Sequence, residues 1–141
     1  MYDDTPIAAG PVVGVTLFDT PATAVRPTTS TVFLDALTGE ERWRTASGAL
    51  SSFSFDRETN TLYEYGEERQ LVARDPVTGT PRWQAATRFG RLLAAGTSVF
   101  AADENVRAFD ATTGTVRWRK PTGSHACPVG VSNDIVTVLS T

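Results

Sequence analysis

A nine-residue motif that occurs three times constrains the fold of this chain more than any other feature. Its pattern is D-x-x-T-G-x-x-R-W, and its copies occupy residues 35–43, 75–83 and 110–118. The three tryptophans of the chain end the three copies and lie 40 and 35 residues apart. Five identical positions recurring in a chain of 141 residues indicate a repeat architecture, in which each repeat folds as one supersecondary unit.

The motif itself is typical of a tight β-hairpin with a bulky residue on its returning strand. Its Asp can accept hydrogen bonds from backbone N–H groups two or three residues later, and its Gly supplies the positive φ that closes a hairpin. We expect the Asp, Thr, Gly and Trp positions to be structural. They are Asp35, Thr38, Gly39 and Trp43, then Asp75, Thr78, Gly79 and Trp83, and then Asp110, Thr113, Gly114 and Trp118.

Short runs of β-branched and aromatic residues, separated by turn residues, fill the space between the motifs. Each repeat therefore holds four short antiparallel strands, and the chain is predicted to be all-β. A four-stranded unit of about 40 residues is typical of a propeller blade. The single domain, 1–141, is predicted to contain blade one at about 10–46, blade two at about 49–86, blade three at about 90–121 and a half blade at about 124–141.

The hairpin motif, preceded by an apolar strand such as residues 106–109, resembles the PQQ-like β-propeller repeat. This blade motif occurs in quinoprotein dehydrogenases, in the outer-membrane assembly lipoprotein and in sensor regions of bacterial receptor kinases. The resemblance covers the chain from about residue 10 to residue 121 and extends weakly to its end. It implies that each motif tryptophan docks against the neighbouring blade and its Thr-Gly turn.

The predicted number of blades is small for this family, whose rings usually hold about seven or eight. Three blades and half of a fourth form an open arc, which leaves sheet faces and strand edges unpaired. We expect either a fragment or truncated gene product, or a protein that completes its ring with a protein partner or by self-assembly. The sequence leaves these alternatives open.

The arginine before each motif tryptophan is a candidate binding group, because it points to the opposite face of the strand. These arginines are Arg42, Arg82 and Arg117, and Arg44 and Arg119 share their face. Such a row is suited to an acidic partner. We favour a structural role, in which the arginines pair with glutamates such as Glu40 and Glu41 or cover apolar surface.

Two further groups of side chains are weaker candidates. His125 and Cys127 lie two residues apart on a predicted strand, but one His and one Cys in the whole chain are too few for a tetrahedral zinc site. An ordinary buried Cys is the favoured interpretation. The acidic residues of the second repeat are expected to form a solvated loop face. They are Asp56, Glu58, Glu64, Glu67 and Glu68.

The sequence argues against enzymatic activity. The resemblance to dehydrogenases implies a PQQ cofactor with Ca²⁺, flanked by a disulfide between adjacent cysteines, whereas Cys127 stands alone. No Ca²⁺-loop pattern, G-x-S-x-G nucleophile motif or Gly-rich phosphate loop occurs. We therefore expect no catalytic residues, no cofactor and no metal.

The net charge argues against a nucleic-acid partner, and the sequence does not determine the cellular compartment of the protein. Thirteen basic and 16 acidic residues give a net charge of −3, which offers no general attraction for nucleic acid. The N-terminus, Met1-Tyr2-Asp3-Asp4, is acidic and lacks an apolar h-region, so no signal peptide is predicted. The longest uncharged stretches contain Thr, Ser, Gly and Pro, so no transmembrane helix is predicted either. The family resemblance implies a mostly extracytoplasmic setting.

Three functions stay open at this point. The first is a non-catalytic propeller that binds a protein or polymer through its turns, for which candidates are Pro21, Arg26-Pro27, 57–60, Arg88 and 103–105. The second is a piece of a PQQ-dependent oxidoreductase whose catalytic residues lie in other blades. The third is the sensor portion of a bacterial receptor Ser/Thr kinase. We favour the first, because the repeated residues are accounted for by folding.

Overall fold

Antiparallel strands make up all the regular structure in the part of the chain that the structure describes. The structure is a computed structural model. It describes residues 6–18, 29–47, 52–65, 70–87, 91–102, 105–122, 126–132 and 135–140. No helix in these residues is long and apolar enough to cross a membrane.

The strands form three four-stranded sheets and one two-stranded sheet. The first sheet holds β1 (Ile7–Ala9), β2 (Val12–Phe18), β3 (Thr29–Asp35) and β4 (Glu41–Ser47). The second holds β5 (Ser52–Asp56), β6 (Thr61–Tyr65), β7 (Gln70–Arg74) and β8 (Pro81–Ala86). The third holds β9 (Arg91–Ala95), β10 (Ser98–Ala102), β11 (Asn105–Asp110) and β12 (Val116–Pro121), and the last pairs β13 (Ala126–Ser132) with β14 (Ile135–Ser140).

Within each sheet the strands follow one another in chain order, and each is antiparallel to its neighbour. This up-and-down order confirms the prediction of an all-β, open propeller arc of about three blades. The two-stranded sheet lies where the sequence predicts a half blade, and β13 contacts β9, β10 and β11. The first sheet begins at Ile7, and the exact limits of the blades stay predictions.

The apolar core lies between neighbouring sheets. One cluster joins the first sheet to the second and includes Val12, Phe33 and Leu62. A second cluster joins the second sheet to the third and includes Tyr63 and Phe109. Because each sheet buries side chains against the next one, stability depends on the stacking of the sheets, as in other repeat proteins.

A β-bulge recurs at the same place in all three four-stranded sheets. Phe33 pairs with Trp43, whereas the next residue, Leu34, pairs with Glu41, so Arg42 is an extra residue without an opposite partner. The same shift makes Arg82 the extra residue in the second sheet and Arg117 in the third. A bulge bends its strand and increases the local twist, so the motif arginine is the residue that re-aims the Trp strand.

Phe33 provides a test of the core between the first two sheets. It is fully buried, and its ring stacks on Trp43 with centroids 4.0 Å apart. We expect Phe33→Ala to lower the free energy of unfolding by about 3–5 kcal/mol, since it leaves a cavity. Leu37→Ala is the matched control, because Leu37 is 97% exposed and its loss should change stability by less than about 0.5 kcal/mol. Equal losses in urea denaturation would contradict this packing.

Candidate functional site

Each motif turn is held by its aspartate. Asp35 Oδ1 accepts hydrogen bonds from the backbone N–H groups of Leu37 and Thr38, at 2.9 and 3.0 Å. Asp75 and Asp110 accept the equivalent pairs of bonds in the other two turns. The glycine that ends each turn has a φ between 74° and 77°, a region that favours glycine because other residues bring Cβ too close to the backbone.

The second carboxylate oxygen of each motif aspartate faces the arginine of the bulge. The distance from the arginine Nη2 to the aspartate Oδ2 is 2.8 Å for Arg42 and Asp35 and 2.7 Å for Arg117 and Asp110. The same distance is longer, 3.5 Å, for Arg82 and Asp75. The hydrogen bond from Arg42, together with the two backbone N–H groups, lowers the pKa of Asp35 from 3.8 to about 2.

The glutamates named in the sequence analysis are not the partners that the structure gives the motif arginines. Arg44, another member of the expected arginine row, does pair with Glu41, at 2.7 Å between Nε and Oε1, so the expected pairing with a glutamate holds at Arg44 and not at the motif arginines. The sequence reasoning missed the Asp–Arg pair because the bulge that turns Arg42 back toward Asp35 shifts the strand register by one residue. The fixed spacing of seven residues between Asp and Arg in all three copies was the signal available.

A tryptophan–glycine contact joins each sheet to the next. The indole N–H of Trp43 donates to the carbonyl of Pro76, at 2.8 Å, and the Trp43 ring covers Gly79 so closely that a Cβ there would overlap it. Trp83 repeats this contact one sheet further on. Its indole N–H donates to the carbonyl of Ala111 at 2.8 Å, and its ring covers Gly114.

A buried ion pair supports the first of these two junctions. Glu64, only 5% exposed, lies 2.7 Å from Arg74. Arg74 also donates to the carbonyl of Gly79 at 2.9 Å, and its guanidinium lies 5.8 Å from the centre of the Trp43 ring. The expectation that Glu64 belongs to a solvated loop face is therefore wrong, because Glu64 is on β6 and pairs with an arginine of the adjacent strand.

The other acidic residues of that predicted loop face divide into two groups. Asp56 is buried at the end of β5, where it accepts hydrogen bonds from the Glu58 backbone and the Thr59 hydroxyl. Glu58 is exposed. Glu67 and Glu68 lie outside the described residues.

The third motif tryptophan is uncovered. Trp118 is 42% exposed, against 9% for Trp83, although its own sheet supports it through Phe100, whose ring centre lies 6.0 Å away. Every described side chain of β12 is exposed, including Val116 at 53%. The motif tryptophan of the third sheet is thus more exposed than Trp83, which is buried, and than Trp43, which is half-buried.

The first motif turn is uncovered as well. No atom lies within 4 Å of the position of a Cβ on Gly39, whereas tryptophan rings occupy that space at Gly79 and Gly114. Ala36 is exposed, and its counterparts Pro76 and Ala111, whose carbonyls accept the indole N–H groups, are buried. One end of the arc therefore has a free turn, and the other end has an exposed tryptophan.

The remaining candidates from the sequence analysis lie in less fully described parts of the chain. The structure does not describe His125, and of Cys127 it gives only the backbone, opposite Leu139 in the β13–β14 pair. The turn candidates Pro21, Arg26-Pro27 and Arg88 are also outside the described residues. In the turn at 57–60, which the structure does describe, all four residues are exposed.

The described residues were compared with the calcium–PQQ site that the family resemblance implies. Among them, no group of three or more His, Cys, Asp or Glu side chains is placed to hold a metal ion. The sequence has one cysteine, which excludes a disulfide between neighbouring cysteines within the chain.

The chain matches a known protein family over most of its length. Residues 28–140 match the family model described as outer membrane protein assembly factor BamB. No curated protein sequence matches the chain.

Similar solved structures include both a BamB protein and enzymes. BamB from Moraxella catarrhalis is 21% identical with a TM-score of 0.58, over 79% of this chain and 34% of that one. A europium-containing methanol dehydrogenase is 14% identical with a TM-score of 0.60, over 86% and 24%. The computationally designed Ika4 protein is 14% identical with a TM-score of 0.63, over 96% and 88%. The chain thus spans about a third or less of the two natural relatives, and the likeness shows the fold.

The glycines of the motif allow a matched test of the junctions. Gly39 and Gly114 share a positive φ, so alanine at either site costs about 1–2 kcal/mol in backbone strain. Only at Gly114 does the new Cβ meet the Trp83 ring, which should add about 1–3 kcal/mol of overpacking. We expect Gly114→Ala to be clearly less stable than Gly39→Ala in urea denaturation of dilute protein. Similar stabilities would contradict the Trp83–Gly114 contact.

The aspartate–arginine pairs predict a loss of stability in acid. The Arg42 hydrogen bond holds the pKa of Asp35 at about 2, below its ordinary 3.8. A depressed pKa in the folded state stabilises the protein above the unfolded-state pKa, and this contribution disappears as the pH falls toward the folded-state value. The stability difference between the natural chain and Asp35→Asn should therefore shrink from pH 5 to pH 2.

Arg42→Gln provides the control for this dependence, because it removes the main cause of the low pKa of Asp35. Thermal unfolding of the three proteins across this pH range measures the effect. A difference between the natural chain and Asp35→Asn that stays constant with pH would show that the turn carboxylate is not stabilised by its arginine.

Proposed function

The chain belongs to the family described as outer membrane protein assembly factor BamB, and we propose that it is a non-catalytic β-propeller module that binds other protein chains. The observation that carries this proposal is the exposure of Trp118 on the outer strand of the third sheet. The equivalent tryptophans of the other two sheets bury their rings against a turn of the next sheet.

An exposed apolar face of this kind favours a protein partner. Trp118 and Val116 lie on one strand and are both substantially exposed, and a tryptophan is among the residues that contribute most to protein interfaces. Scattered exposed hydrophobic residues are normal on a protein surface. The Trp118 face differs because the same motif position is buried at Trp83 and half-buried at Trp43, and each of these two indole N–H groups is bonded to a carbonyl of the next sheet.

The roles of the repeated residues support the non-catalytic part of the proposal. Each motif aspartate holds a turn and faces the bulge arginine, each motif glycine has a positive φ, and two tryptophans join sheets. A general acid or base must be free to exchange a proton with substrate. The motif carboxylates are instead already bonded to their own turns and arginines.

The dehydrogenases among the similar structures favour a second candidate function. This second candidate is a piece of a PQQ-dependent oxidoreductase whose catalytic residues lie in other blades, and the likeness to the methanol dehydrogenase favours it.

The BamB description of the family favours a setting near the outer membrane, so we propose an extracytoplasmic location. The identity of the protein partner is open, and self-assembly is one form of partnership.

Cofactor binding separates the two candidates. A ligand that binds the folded state raises its stability by RT ln(1 + [L]/Kd), about 2.7 kcal/mol at one hundred times Kd. We expect added PQQ with Ca²⁺ to leave the melting temperature unchanged, and the protein to reduce no electron-accepting dye with an alcohol substrate. A melting temperature that rises with PQQ concentration only when Ca²⁺ is present would overturn the non-catalytic proposal.

A pair of tryptophan variants tests whether Trp118 is kept for binding rather than folding. Trp83→Ala removes a buried ring from a junction and should lower the free energy of unfolding by about 3–5 kcal/mol. Trp118→Ala removes a ring that solvent already reaches, and we expect a loss below about 1 kcal/mol in dilute protein. Comparable losses would show that Trp118 contributes to the fold as much as Trp83 does.

A further inference from the structure

Two arginines lie directly opposite each other on the two outermost strands of the third sheet. Arg107 of β11 and Arg119 of β12 are partners in the antiparallel register, so their side chains leave the same face of the sheet, with Cβ atoms about 4.5–5.5 Å apart. Like charges in this arrangement repel each other and destabilise a sheet. We propose that Arg107 and Arg119 form a binding site for the carboxylates of an acidic segment of a partner protein. This inference rests on the proposed function, since it names the chemistry of the protein partner.

No carboxylate in the described part of the chain balances this arginine pair. The ion pairs reported above use other arginines, and none of them includes Arg107 or Arg119. The bulge arginine of the same strand, Arg117, is bonded to Asp110 at 2.7 Å. The third sheet therefore holds one arginine bonded to its own turn and two arginines whose charges no described side chain neutralises.

The equivalent positions of the other two four-stranded sheets hold no such pair. In the first sheet Val32 lies opposite Arg44, which is bonded to Glu41. In the second sheet Val72 lies opposite Gln84. Both valines are buried, so the repeat packs an apolar side chain at this position. Folding of the repeat thus does not account for an arginine there in the third sheet.

The inner neighbour of the pair is not acidic either. Ala101 of β10 lies opposite Arg107, whereas the equivalent position of the second sheet is Glu64, which is bonded to Arg74. A glutamate at the Ala101 position would balance Arg107 within its own sheet. The row across β10, β11 and β12 instead consists of one small side chain and two positive charges.

The arginine pair is accessible at the rim of the arc. Arg107 lies two residues before Phe109, which packs with Tyr63 and Trp83 of the second sheet, and residues two apart on a strand share a face. The pair therefore lies on the face turned toward the second sheet. Arg107 is half-buried and Arg119 is exposed, and β12 is the outermost strand. A partner thus reaches both guanidinium groups from outside without displacing the core.

The charge of the third sheet suits an acidic partner, although the chain as a whole is acidic. Residues 91–121 contain five basic and three acidic residues, whereas the net charge of the whole chain is −3. A guanidinium binds a carboxylate through two parallel hydrogen bonds, which are stronger than bonds between neutral groups. Two adjacent guanidiniums therefore fit two carboxylates of one acidic segment, and binding relieves the repulsion between them. High salt should weaken this binding, because it screens exposed charges.

Titration of a fluorescently labelled oligoglutamate peptide, followed by fluorescence anisotropy at low salt, tests the site. A hydrogen bond to a charged group contributes enough that Arg107→Gln and Arg119→Gln should each weaken binding about tenfold or more. Lys120→Gln is the matched control. Lys120 follows Arg119 on the same strand but lies opposite Val106, so it points to the other face and its loss should leave binding nearly unchanged.

Three results of this titration would overturn the proposal. The first is no measurable binding of the peptide to the natural chain. The second is an equal loss in all three variants, because this would show a general attraction to positive charge. The third is saturable binding of inorganic phosphate that Arg119→Gln abolishes, with no binding of the peptide, because the ligand of the pair would then be a phosphate group.

The melting temperature of the unliganded protein provides a second readout that a merely structural arginine would move in the opposite direction. Arg119→Glu places a carboxylate opposite Arg107, so a repelling pair becomes an attracting one. We expect this variant to melt at a higher temperature than the natural chain and to lose peptide binding. A lower melting temperature for both Arg119→Glu and Arg119→Gln would show that Arg119 stabilises the fold, for instance by covering apolar surface, and would overturn the proposal.

These outcomes are distinct from a failure of the proposed function. If the peptide does not bind and PQQ with Ca²⁺ leaves the melting temperature unchanged, the acidic segment is the wrong partner while a protein-binding role for the Trp118 face stands. If PQQ with Ca²⁺ raises the melting temperature, the non-catalytic proposal fails whatever the peptide does.

Discussion

The arc depends on the contact between a tryptophan ring and the glycine of the next sheet's turn. A glycine at this place serves two purposes, because its positive φ closes the turn and its missing side chain lets the ring lie against the backbone. The indole N–H then finds a carbonyl acceptor one residue after the motif aspartate. Buried tryptophan needs such a polar partner, so the contact fixes both the distance and the orientation of neighbouring sheets.

The precision of that contact comes from the turn itself. Each aspartate binds two backbone N–H groups with one oxygen and faces the bulge arginine with the other. The bulge makes that arginine an unpaired residue of the returning strand, free to turn back, and sets the register of the tryptophan that follows. Turn, bulge and tryptophan therefore form one unit, and a fold of this type is built by stacking such units.

Much of this architecture could be predicted from the sequence, because the same motif occurs three times. The motif spacing predicts the hairpins, the four-stranded sheets and the open arc. Two features were missed. The bulge shifts the register by one residue, and so Arg42 faces Asp35 rather than Glu40 or Glu41. Glu64 looked like part of an acidic loop, but its partner Arg74 is ten residues away on the adjacent strand.

The solvent exposure of Trp118 was the feature that the sequence predicted least well. Trp83 and Trp118 occupy the same motif position, so no local pattern distinguishes a buried ring from an exposed one. The difference lies in what the next sheet supplies: a motif turn accepts the indole N–H of Trp83, whereas β13 packs mainly on β9, β10 and β11. Exposure at a repeat position depends on its neighbours, which is why sequence reasoning treated the three tryptophans alike.

Solvent exchange of the three indole N–H protons, measured by NMR in dilute protein, tests the central claim most directly. Each tryptophan gives one indole signal, and substitution of each in turn assigns them. The account predicts slow exchange for Trp43 and Trp83, whose N–H groups are bonded to carbonyls of the next sheet, and fast exchange for Trp118. Equal exchange rates for all three, or protection of Trp118 in the monomer, would contradict it.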